Sequence, residues 1–295
     1  MSLVINHNLM AMNAARSLSQ TYNRLSTSVS RLASGLRINS AADDAAGLAI
    51  REMMRTDIRV LNQGVRNAND AISLIQTADG ALSVIDEKLT RMKELAEQAA
   101  TGTYTSAQRL IMDSEYQAMA SEISRIALAT DFNGVKLLDG SLSGTAAGGV
   151  SGSQMKIHFG TGNSSAEDYY YIRIGNATAS ALGVGNNVSA TKAGYTISTQ
   201  SAAQAALEAL DMAVQSKDTV RASLGAVSNR LSNTISNLSI QAENLQAAES
   251  RISDVDVATE MTEFTRNQIL TQAAVAMLAQ ANSLPQMALQ LINGQ

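Results

Sequence analysis

The chain has 295 residues, a net charge of −4, one proline (Pro285), 3% aromatic residues, and neither Trp nor Cys. That length supports a sizeable core, but a palette rich in Ala, Ser, Leu, Gln, Asn and Met suits long helices meeting along narrow seams. The missing cysteines exclude thiol catalysis, disulfides and thiolate metal sites, and the mild acidity gives no reason to expect nucleic acid or an anionic membrane as partner.

The opening MSLVINHNLMAMNAARS has no basic n-region, and Asn6 and Asn8 interrupt its apolar residues, so it does not read as a secretory leader. No stretch reads as a membrane span, and the expectation is a soluble chain or one that leaves the cell without a cleaved leader. Leu18, Tyr22, Leu25, Val29, Leu32 and Leu36 then step by 4, 3, 4, 3, 4, the spacing of a heptad seam on a first helix. Residues 1–42 carry Arg16, Arg24, Arg31 and Arg37 and no acid.

At residues 31–50, RLASGLRINSAADDAAGLAI, the helical rhythm breaks. Gly35 and Gly47 match neither the phosphate-loop nor the dinucleotide spacing, and no strand precedes them. Asp43 and Asp44 are adjacent, so on a helix their side chains point in different directions. They read as first-turn acids of a new helix capped by Asn39 or Ser40, and the whole stretch as a joint between helices.

A second apolar series runs Ile58, Leu61, Val65, Ala68, Ile72, Ile75 and resumes at Leu82, Ile85, Leu89 and Met92, with a phase slip near Asp79-Gly80. A single helix over 45–100 would be about 80 Å long. Gly102 marks its stop, and a shorter helix follows from about Ser106 to Ala129, its apolar positions including Leu110, Met119, Ile123 and Ile126. Asp131-Phe-Asn-Gly134 and Asp139-Gly140 are turn signals.

Residues 134–194 hold 12 of the 19 glycines. Within them, residues 155–159 and 169–174 alternate as two strands of a β-hairpin, too small to stand without the helices. From about Ser201 the helical code returns, with Leu224, Leu231, Leu238, Leu245 and Ile252 seven apart. Ser253, Asp254 and Asp256 interrupt it. A last series, Leu270, Ala274, Met277, Ala281, Leu284, Ala288 and Leu291, lies in a tail without charge from Asn267 to Gln295.

The expected fold is mainly α: a long antiparallel helical coiled-coil bundle of N- and C-terminal segments with a small central β-hairpin region. Residues 1–44 would pair with 256–295, bringing basic and acidic ends together and both breaks to one level. Residues 45–140 and 196–255 would form a second helical domain around the insert 141–195. His7 and His158 read as solvated or hydrogen-bonded side chains, and no Ser–His–Asp spacing or paired catalytic carboxylates stand out. An enzyme is not expected, nor a metal or cofactor. Apolar, lightly charged terminal helices call instead for another surface to cover them.

These stretches resemble bacterial flagellins. RLASGLRINSAADDAAGLAI resembles their signature between inner and outer helical domains, and INHNLMAMNAARSLSQTYNRLSTSVSRL their N-terminal helix. ILTQAAVAMLAQANSLPQMALQLI resembles their C-terminal helix, and DFNGVKLLDG the turn after their third helix. The resemblance covers residues 1–140 and 200–295. It implies a subunit exported unfolded through the flagellar type III channel, polymerising outside the cell into a helical homopolymer for motility. The terminal helices would then form an inner tube and the next helices an outer one. Implied partners are other copies of the chain, the filament cap, hook-filament junction proteins and an export chaperone at the C-terminal helix. The short middle segment implies a thin filament lacking large outer domains, with Ser and Thr open to O-linked glycans. Detection by a host toll-like receptor is implied through Arg91, Leu95 and Glu115, although Tyr116 stands where relatives usually carry an aliphatic residue. The competing expectations are a hook-filament junction protein and a signalling coiled-coil rod.

Overall fold

The computed structural model describes residues 8–144, 154–164, 167–185 and 195–293, with side chains described through Met287. His7, the Leu291 side chain and parts of the 141–195 insert lie outside the described residues. The elements run α1 (Leu9–Ser34), α2 (Ala45–Ala100), α3 (Ser106–Ala129), β1 (Asp131–Phe132), β2 (Val135–Lys136), β3 (Met155–His158), β4 (Tyr169–Ile172), α4 (Ala179–Leu182), α5 (Gln200–Ser253) and α6 (Val257–Asn293). By packing, the chain divides into two compact units: Met1–Ile58 with Glu243–Gln295, and Arg59–Ala242.

In the first unit α1 packs along α6. The pair is antiparallel, since the Asn8 amide donates to the Ala281 carbonyl (2.7 Å) while Arg31 reaches Glu260 (3.7 Å). The Asn8 side-chain oxygen also accepts from the Ala11 N–H, capping α1. The covered stripe of α1 is Ala11, Ala14, Leu18, Thr21, Leu25, Ser28 and Leu32; that of α6 is Glu260, Phe264, Asn267, Thr271, Ala274, Leu278, Ala281 and Leu284. Both step by 3 and 4, as a heptad seam must, but small and polar residues occupy most of it.

The second unit is built on α2 and α5, 56 and 54 residues long. Three charge pairs join them in opposite chain directions: Asp79–Arg221 (2.6 Å), Asp86–Lys217 (2.5 Å) and Lys93–Asp211. The α2 core row is Leu61, Gly64, Ala68, Ala71, Ile75, Ala78, Leu82, Ile85, Leu89, Met92, Ala96 and Ala99. It alternates 3 and 4 throughout, so the expected phase slip near Asp79 is absent. Small residues occupy seam positions, while the larger Val65 and Ile72 sit half-buried on its flank. On α5, Leu224, Leu231 and Leu238 are buried as their spacing predicts.

α3 opens with a capping box, Thr105 and Gln108 satisfying each other's backbone N–H groups. Its inward row is Tyr116, Ala120, Ile123 and Ala127, and Leu110 is exposed. The Asp131–Gly134 turn closes a second small hairpin, β1–β2, which the turn signals alone did not announce. The expected hairpin is β3–β4, with Met155 opposite Ile172 and His158 opposite Tyr169. It rests on both long helices: Asn67 donates to the His158 carbonyl (2.8 Å), and the Arg230 guanidinium lies 3.6 Å over the Tyr170 ring.

Candidate assembly surface and interhelical joint

The joint lies within the first unit and brings the two sequence breaks together. Gly35 ends α1 in the left-handed region (φ +72°), its N–H returning to the Arg31 carbonyl. The next residues pair with the α5–α6 break: Arg37 N–H donates to Ser253 C=O (2.7 Å), and Val255 N–H to Gly35 C=O (3.1 Å). Leu36 and Asp254 form the bridge between them. The Arg37 guanidinium donates to the Ile252 carbonyl (2.7 Å), an orphan acceptor at the end of α5. Arg51, largely buried, donates to the carbonyl of Ile38, which is itself in the core. The two breaks therefore fasten each other by backbone and side-chain hydrogen bonds.

The roles within the joint differ from those expected. Asp44, not Asn39 or Ser40, caps α2 by accepting from the Gly47 N–H (2.9 Å). Asp43 lies before the helix and gathers the loop, accepting from the Asn39 N–H, the Ser40 N–H and the Ser40 hydroxyl at 3.0–3.2 Å. Those bonds from the Ser40 backbone and hydroxyl and the Asn39 backbone, with nearby Arg31, hold its carboxyl below the ordinary range. Asn39 turns back to the Ser30 carbonyl (3.1 Å) and hydroxyl. Gly47 is not a hinge: it lies in the first turn of α2, where a Cβ would sit 2.5 Å from the Asp44 carboxylate and 2.8 Å from Ile38. On the other side Asp256 caps α6 through the Ala258 N–H and the Thr259 hydroxyl.

The expected self-association seams split by the face they occupy. Leu18, Leu25, Leu32 and Leu36 on the N-terminal side and Leu284 on α6 are half-buried. Tyr22, Val29, Leu270 and Met277 face outward, between 47 and 63% exposed. They join Leu9, Met10, Met12, Val257, Met261, Ile269, Val275 and Met287, also exposed. Twelve large apolar side chains thus point away from the α1–α6 contact, while Leu18, Leu25, Leu32, Phe264, Leu278 and Leu284 are half-buried. Side-chain size alone does not separate the two faces. No charged residue interrupts α6 beyond Arg266.

In the second unit Arg91 and Glu115 come together from α2 and α3. The Arg91 guanidinium donates to the Glu115 carboxylate (2.9 Å) and to Glu94 (3.0 Å), and both partners are partly exposed. Glu94 first, and then Glu115, hold Arg91 more firmly protonated than usual. Leu95 does not join them at the surface: it is 2% exposed and packs in the core. Tyr116 is fully buried, its phenol pushed up by burial and by Asp113. Among the described residues no cluster of His, Asp or Glu has the form of a metal site, and no helix is long and apolar enough to cross a membrane.

Comparison with known proteins bears on this arrangement. Residues 5–143 match the bacterial flagellin N-terminal helical region, and residues 207–292 the bacterial flagellin C-terminal helical region. The chain is 41% identical over 290 residues to flagellin FlaB1 of Treponema pallidum, covering 98% of this chain and 100% of that one. It is 44% identical to flagellins of Halalkalibacterium halodurans and Bacillus subtilis, covering 98% of this chain and 100% and 99% of theirs. A solved structure of a putative flagellar hook-associated protein from Vibrio parahaemolyticus shares the fold at 17% identity (TM-score 0.55, covering 72% of this chain and all of that one). Bacillus cereus flagellin aligns at 31% identity over 62% of this chain and 94% of that one, with a TM-score of 0.46. With both helical regions matched in order and relatives matched nearly end to end, the chain belongs to the bacterial flagellin family.

Proposed function

We propose that this chain is the structural subunit of an extracellular flagellar filament, polymerising through the outward faces of α1 and α6. The observation that carries this is the division of those helices into an inward seam where small and polar residues hold most positions and an outward face bearing twelve large apolar side chains. Fully burying a large apolar side chain stabilises by about 1.5–3 kcal/mol, and these are already half covered. Twelve of them supply on the order of 10 kcal/mol of gross stabilisation. That is comparable with the ~4–15 kcal/mol cost of immobilising a subunit. One neighbour is therefore held weakly, and the several neighbours of a helical lattice are needed for firm attachment.

In this reading residues 1–44 and 256–295 line the inner tube, and 45–140 with 196–255 the outer one. The uncharged part of α6, from Asn267 onward, is the surface for an export chaperone, and the exposed filament ends meet the cap and the hook-filament junction. The Arg91–Glu115 pair is the surface for a host toll-like receptor, with Leu95 acting only through packing beneath it. No catalytic role is assigned, flagellins being structural proteins. Removing residues 256–295 is expected to abolish filaments, seen by electron microscopy, while the helicity of residues 59–242 persists. Normal filaments from the truncated chain would refute the proposal. Long homopolymers of the intact chain separate this reading from a junction protein.

A further inference from the structure

The methionines are distributed unevenly. α1 and α6 carry Met10, Met12, Met261, Met277 and Met287, and all five are 46–62% exposed. In the second unit Met92 is fully buried and Met112, Met119 and Met155 are partly covered against the core; Met212 on α5 and Met53 on α2 are exposed (59 and 69%) but lie outside the α1–α6 pair. The chain has no cysteine, so thioethers are its only sulfur. They are the side chains most open to two-electron oxidation, and exposure decides which react first.

We propose that these five thioethers form a peroxide-sensitive modification site, whose oxidation keeps the free subunit out of the assembly. This rests on the assembly reading above. A thioether sulfur attacks one oxygen of hydrogen peroxide; the O–O bond breaks and an S–O bond forms. The departing oxygen leaves as water after taking up the second proton. Sulfur loses two electrons to the peroxide, and methionine becomes its sulfoxide.

The consequence follows from where these residues point. They face away from the α1–α6 seam of small residues, so sulfoxides leave the helix pair and its caps in place. They do change what a neighbouring subunit must cover. Each sulfoxide is a strong acceptor that has to be dehydrated on docking, and α6 from Asn267 onward bears no ionised donor to receive it. A leucine at any of the five positions would supply similar apolar area without this chemistry. Within the assembly the same sulfurs are covered and out of reach of the peroxide, so oxidation discriminates between free and incorporated chains.

Purified full-length subunits and preformed filaments are treated with the same hydrogen peroxide solution, and oxygen addition at each methionine is followed by peptide mass spectrometry. In subunits the five should be oxidised well before Met92, with helical circular dichroism unchanged. The critical concentration for polymerisation should rise at least roughly tenfold, since five buried polar groups are added. In filaments the five should be protected. The combined variant M10L, M12L, M261L, M277L and M287L should polymerise after peroxide treatment as it does before. Where that variant does not polymerise, reduction of the oxidised natural chain with methionine sulfoxide reductases should restore the original critical concentration. An unchanged critical concentration with all five sulfoxides verified overturns the inference, as does oxidation of filaments as fast as subunits. Failure of the untreated chain to polymerise at all would count against the assembly reading instead.

Discussion

Two glycines in the joint meet different demands. Gly35 adopts φ +72°, and nothing lies within 4 Å of where a Cβ would be, so its constraint is conformational alone. Gly35→Ala is expected to destabilise the protein by about 1 kcal/mol. Gly47 has ordinary helical dihedrals, but a Cβ there would press on Asp44, the residue that caps α2, and on the core residue Ile38. Gly47→Ala is expected to cost more, about 2 kcal/mol, because cap and core must both shift. Urea denaturation followed by circular dichroism measures both, and the reverse order would contradict this division of roles. The joint itself was legible in the sequence, since glycine, amide and acid clusters interrupt a strong heptad rhythm. The capping residue was not legible: Asn39 or Ser40 was the expected cap, but the Ile38–Arg51 and Asp43–Ser40 contacts keep the chain in a loop as far as Asp44.

At the scale of elements, the charge pairs between α2 and α5 differ in depth. Lys217 has only 2% of its side chain exposed; burial works against its charge, but Asp218 and Asp86 outweigh that and keep it protonated. Asp86→Ala leaves Asp218 as its remaining carboxylate (2.7 Å) and is expected to cost about 1–2 kcal/mol. Asp211→Ala removes the partner of an exposed lysine and is expected to cost less than about 0.5 kcal/mol. Thermal denaturation of the two variants checks the contrast. The helices themselves were readable almost to the residue: α3 was expected over 106–129 and is found there. Seam phase was less readable. Gly64, Ala71 and Ala78 in α2, like Thr21 and Ser28 in α1, occupy inward positions that a search for large apolar residues passes over. Size marks burial where a core is thick. Between close-packed long helices, small side chains permit the approach and larger ones are set to the flank.

For the whole molecule, the two units differ in what they bury. The second holds a continuous core from Ala68 to Leu231 with the hairpin and α3 packed on it, whereas in the first twelve large apolar side chains of α1 and α6 face solvent. Amide hydrogen exchange should follow this difference. In free subunits, α1 and the α6 segment after Asn267 should exchange much faster than residues 82–99 of α2. After polymerisation the terminal helices should slow by at least about tenfold, while residues 82–99 change little. Equal protection in α1, α6 and α2 of the free subunit would show that the terminal pair needs no partner. The pairing of the chain ends was foreseeable from their opposite charge, and Arg31–Glu260 realises it. The outward face was not, because a helix-wide count of apolar residues does not say which of them a neighbour in the same chain will cover.

The order of signs along α2 has a consequence for specificity. Asp79, Asp86 and Lys93 recur every seven residues, so two copies of α2 lying parallel and in register would place Asp against Asp twice and Lys against Lys once. The antiparallel α5 instead offers Arg221, Lys217 and Asp211, the opposite sign at every rung. A polypeptide made to meet many copies of itself thus carries, in its longest helix, a pattern that rejects its own likeness. In the proposed filament, like-with-like recognition is left to the chain ends.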